Sequence, residues 1–151
     1  MKENPHIRHI VERLAPGVLS RDGFLGWDSR PLEEILEADH CTILSLGATH
    51  QELAGRLRKV LLAAKAGLGT KVRVSERLVA VYKEAMGRIP CPWGRCGTFA
   101  KGHIELIDTQ SSRRIMFTAL NVHMIAAHGF YQGRGSRYRL EPTEIYQLFP
   151  R

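Results

Sequence analysis

Residues 49–66, THQELAGRLRKVLLAAKA, do most to limit what this chain can fold into. Leu53, Leu57, Val60, Leu61 and Ala64 recur at helical spacing, with Arg56, Arg58, Lys59 and Lys65 on the other faces. Thr49 followed by Glu52 is a capping-box pattern, and Gly67 and Gly69 stop the helix. A helix with one apolar stripe must bury it against another layer. The rest of the chain has to supply that layer.

Two further helices are expected upstream. Residues 4–14 start on Asn4 as N-cap with Pro5 at the first helical position, and place Ile7, Ile10, Val11 and Leu14 on one face. Residues 31–46 follow a turn-rich connector, with Ser29 or Arg30 as the cap, Glu33 and Glu34 in the first turn and Gly47 as the stop. Asp39 falls on the apolar stripe of this helix, where a buried carboxylate requires a partner such as an arginine.

Downstream the texture changes. KVRV at 71–74 alternates as a strand does, and 75–87 fits a helix or a buried strand equally. GRIPCPWGRCG reads as a Gly/Pro-rich loop. HIELID and RRIMFT, joined by TQSS, read as a hairpin, followed by a helix over 118–128 and a short one over 142–149. The expected fold is α+β: a helical N-terminal half, then a small, mainly antiparallel sheet or hairpin with helices in the C-terminal half. We expect a single domain over 1–151, its helical part covering about 4–69 and its sheet-containing part about 70–151.

A 151-residue chain of 44% hydrophobic and 25% charged residues can bury a core without staples. No apolar run is long enough for a bilayer, which excludes a membrane-spanning role by helices. The opening MKENPHIRHIVERLAPG lacks an apolar core and a small-residue cleavage site, so the expected localisation is cytoplasmic. Three cysteines in such a chain argue against a disulfide framework. The net charge of +7 is uneven: residues 86–151 hold 9 Lys and Arg against 4 Asp and Glu. That excess favours an anionic partner, a nucleic acid or a phosphate ligand.

The excess falls in the half that carries CPWGRC and HMIAAH. Cys91 and Cys96, then His123 and His128, are soft thiolate and imidazole donors at spacings used for structural zinc. The pairs lie further apart than in a compact zinc finger, so the hairpin must fold the second onto the first. Residues five apart on a helix are about 140° apart, which predicts that the last turn unwinds to bring the histidines together. His103 is an alternative ligand. A thiol-enzyme reading of the same residues takes Cys96 as nucleophile, His128 as base and Asp108 as the orienting group. The bland reading is that both pairs simply pack or cap.

HGFYQGRGSRYR, 128–139, is the second feature. Gly133 and Gly135 free backbone amides to form an anion nest, and Arg134, Arg137 and Arg139 can grip phosphate or carboxylate, extended by Arg113 and Arg114. Phe130, Tyr131 and Tyr138 offer stacking faces for bases. The alternative is a solvated loop whose aromatics pack inward.

These features favour a binding module with a structural zinc site and a basic surface over an enzyme. A metal-dependent or thiol hydrolase built on the Cys/His cluster is the alternative. A structural or interaction domain, pairing as a homo-oligomer through its helix stripes, is the third reading.

Overall fold

The computed structural model describes residues 4–149. They form an α+β fold of five helices, a four-stranded antiparallel sheet and a two-stranded one. Helix α1 (Pro5–Leu14) begins where Asn4 Oδ1 accepts the N–H of His6 at 2.9 Å. Helix α2 (Leu32–Leu46) begins one position later than expected, on Pro31, with no side-chain cap; Glu33 and Glu34 face its open N–H groups. Helix α3 (His50–Ala66) is capped by the Thr49 hydroxyl, which accepts from the N–H of Glu52 at 3.0 Å.

The ambiguous stretch after Arg73 is a strand. β2 (Leu78–Lys83) pairs on one side with β1 (Val72–Arg73) and on the other with β5 (His103–Asp108), and β6 (Arg114–Thr118) closes the sheet in the order β1-β2-β5-β6. The register puts Ala80 opposite Leu106, and Leu106 opposite Ile115. Tyr82, Ile104 and Phe117 form the next row, because alternate residues share a face. Onto that face α3 lays Leu53, Leu57, Val60 and Ala64, so the stripe meets its layer. Truncating any one of these leucines to alanine costs about 2–5 kcal/mol.

The segment read as a plain loop holds a second sheet. β3 (Arg88–Pro90) and β4 (Thr98–Ala100) pair antiparallel, Ile89 opposite Phe99. Helix α4 (Ala119–His128) starts on Thr118, whose hydroxyl and the Asn121 side chain cap each other's backbone N–H groups. It stays α-helical through His128 and ends on Gly129 in the left-handed region at φ 63°. The expected unwinding of its last turn does not occur. Helix α5 (Pro142–Leu148) follows.

Two cores result, and α4 lies between them. Val122 and Ile125 join α3 and the sheet. Leu120 and Met124 join Ile10 and Leu14 of α1, Ile35 of α2, Ile89, Cys91 and Phe130. A helix wedged between two cores has to be apolar on more than one face, which explains ALNVHMIAAH. Asp39 finds its arginine in Arg139, whose guanidinium meets both carboxylate oxygens at 2.6 and 2.8 Å and also holds Glu141 and the Gln132 carbonyl. No helix among the described residues is long and apolar enough to cross a membrane.

Candidate metal centre

The β3–β4 pair holds residues 91–97 as a closed loop. Its first turn is tied by the N–H of Gly94 to the Cys91 carbonyl at 3.0 Å. Gly94 and Arg95 both take positive φ, 78° and 56°, and that reversal turns the chain so that both sulfurs face α4. From outside, Arg13 of α1 donates through Nε to the Pro92 carbonyl.

Across from the loop stands the end of α4. His128 Nε2 lies 3.5 Å from Cys91 Sγ and 3.6 Å from Cys96 Sγ. Adding His123, one donor atom from each of the four residues lies within 4.8 Å of all the others. Roughly tetrahedral coordination requires donor separations of about 3.5–4 Å. The four side chains could hold a metal ion. The two histidines meet although they lie on different faces of an intact helix, because their rings lean together edge to face with centroids 5.3 Å apart. The helix need not unwind; side-chain reach replaces it.

Aromatic rings wall the cluster. Trp93 stacks on His128 and Phe99 stacks on His123, with centroids 4.3 and 4.7 Å apart. The cysteines are free thiols. Burial pushes the Cys91 thiol up to about 11. Burial, then the neighbouring His123, brings His128 down to about 4, and burial alone lowers His123. Neutral imidazole is the ligating form. A buried neutral thiol is a poor nucleophile but becomes a thiolate once a cation is beside it. His123 Nε2 is buried and has no hydrogen-bond partner among the described residues.

Other expected site residues sit elsewhere. His103 pairs with Glu105 at 3.7 Å and is not in the cluster. Asp108 cannot orient His128 for a thiol mechanism, because Arg77 spans both its oxygens and Ser111 and the Gln110 N–H take what remains. In the Gly–Arg loop one backbone N–H meets an anion of the chain itself. Asp28 Oδ2 accepts the N–H of Arg134 at 3.1 Å, and Arg30 grips the same carboxylate at 2.9 and 2.7 Å. The N–H of Gly133 goes to the Phe24 carbonyl at 2.9 Å, and a Cβ on Gly135 would stand 2.1 Å from the Trp27 ring. These glycines let two stretches of backbone approach rather than receive a ligand. Arg139 is engaged by Asp39 and Glu141, and Arg113 lies 3.8 Å from Glu144. Arg114, Arg134 and Arg137 carry no ion pair among the described residues.

Sequence reasoning missed the aromatic walls Trp93 and Phe99. His40 and His50 form a chain: His40 Nδ1 lies 3.2 Å from His50 Nε2, and His50 Nδ1 lies 2.9 Å from the buried Tyr131 hydroxyl. His40 and His50 line a cleft of about 420 Å³ that reaches His128. Comparison of the chain with protein-family models, curated proteins and solved structures finds no match.

Proposed function

We propose that this chain is a binding module whose second core is closed by a structural zinc ion held by Cys91, Cys96, His123 and His128. The observation that carries the reading is His123 Nε2, a buried ring nitrogen with no partner. Such an orphan costs about 1–3 kcal/mol, and a metal ion in the adjoining donor cluster removes that cost. Two thiols and two imidazoles suit zinc, and four protein donors fill its sphere. A closed sphere favours structure over catalysis, since catalytic zinc keeps an open position. The hydrolase alternative has in its favour only the cleft at His128, with His40 and His50 on its rim. The anionic partner of the module would meet the exposed cations of the C-terminal half that have no carboxylate of their own.

Elemental analysis of tag-free protein tests the zinc. About one equivalent per chain is expected, falling to about a fifth or less in Cys96→Ser and His123→Ala. Metal-free protein whose melting temperature ignores both chelator and added zinc would sink the proposal.

A further inference from the structure

A second cavity, of about 210 Å³, is lined in part by Thr118 and Leu120 at the start of α4 and shares no residue with the metal cluster. Its lining combines two chemistries. Phe24, Ile89 and Leu120 are buried apolar side chains, and Tyr138 adds a ring. Arg21, Lys101 and Arg137 line the same cavity, with Asp22 as its one acid. They come from three separate segments: the α1–α2 connector, the turn between β4 and β5, and the Gly–Arg loop. Among the described residues none of the three cations has a carboxylate partner, and Arg137 lies over the Tyr138 ring at 5.2 Å. All three cations are exposed, and like charges gathered around one cavity repel one another. An anion in the hollow offsets that repulsion, through charge-assisted hydrogen bonds to guanidinium and ammonium.

We infer that this cavity binds a small amphipathic anion: an apolar, ring-sized body seated on Phe24, Ile89 and Leu120, with a phosphate or carboxylate head held by Arg21, Lys101 and Arg137. A cavity of this size takes a small molecule and excludes a nucleic-acid strand. The inference rests on the anionic-partner reading and is independent of the zinc.

Phenyl phosphate, benzoate and phenol, titrated into the isotope-labelled full chain and followed by amide chemical shifts, test it. Phenyl phosphate or benzoate is expected to move the amides of Gly23, Lys101 and Gln132, and whichever binds more tightly identifies the head group. Phenol should bind at least about tenfold more weakly, because it lacks the charge. Lys101→Gln with Arg137→Gln should weaken the anion at least about tenfold at unchanged melting temperature. If that pair misfolds, Arg21→Gln alone should weaken it several-fold. Amides unmoved by millimolar probe, or phenol binding as tightly as the anions, overturns the inference. Retention on heparin that falls with salt, alongside unmoved amides, overturns the cavity while sparing the broader basic-surface reading; loss of both overturns both.

Discussion

Trp93 lies flat on His128, with ring centroids 4.3 Å apart and planes within 7°. The stack fixes the plane in which His128 Nε2 faces the two sulfurs, so Trp93 would position the proposed metal ligand. Groups that orient a ligand from behind typically account for 10–100-fold in metal affinity. Trp93→Ala should therefore weaken zinc binding about tenfold in a competition titration with a chromophoric chelator, and Trp93→Phe should recover most of it. Trp93 emission in a Trp27→Phe background should change on metal addition.

Removing the metal should loosen one part of the molecule and spare another. The β3–β4 hairpin contributes two buried residues, Ile89 and Cys91, to the second core, with Trp93, Cys96 and Phe99 only partly buried against it, and α1 leans on it through Arg13 and Pro92. After chelation, hydrogen exchange should rise over 88–100 and in α1. Amides of α3 and β5, which belong to the other core, should keep their protection. Uniform loss of protection would contradict this division.

Asp39 and Arg139 form a buried bidentate pair, their side chains 9% and 11% exposed. Breaking such a pair from one side leaves a buried charge and costs about 3–5 kcal/mol. Arg139→Met should show that loss in urea unfolding. Asp39→Leu combined with Arg139→Met should be more stable than either single variant, since it leaves no stranded charge. Equal losses in all three would contradict it.

Acid should destabilise the protein in part through two carboxylates. Arg30 above all, with the Arg134 N–H, holds Asp28 well below the usual carboxylate range, and Arg77 does the same for Asp108. A depressed folded value means that the stabilisation is complete above the unfolded value near about 3.9 and is lost as pH falls below it. Urea midpoints should thus start to fall below about pH 6.5, where the unfolded chain protonates histidines that burial keeps neutral in the fold, His128 and His123 among them, and drop further below about 4 as the two carboxylates are protonated. Asp28→Asn with Asp108→Asn should start lower at pH 7 and decline less steeply under pH 4. A parallel decline would refute the assignment.

Periodicity and caps made the helices legible: Asn4, Thr49 and the glycine stops name their ends in the chain itself. The hairpin over 103–118 was equally legible, because its two runs alternate around a polar turn. The short β3–β4 pair was not, since three residues per strand carry no period. The choice between helix and strand over 78–83 depended on neighbours twenty to thirty residues away in β5, which local pattern cannot see. Residue types and spacing picked out the four donors, but their convergence depended on side-chain reach across an intact helix. In the Gly–Arg loop, the partner of the Arg134 N–H, Asp28, lies about a hundred residues upstream, where local pattern cannot see it.

The membership of the second core has a consequence for how the chain is made. Ile10 and Leu14 are synthesised long before Ile89 and Leu120, which complete their burial. At roughly 5–20 residues per second, α1 leaves the ribosome on the order of ten seconds ahead of those partners, with Phe24, Leu32 and Ile35 the buried partners that arrive early. For that interval its apolar stripe is open to chaperones and to other nascent chains.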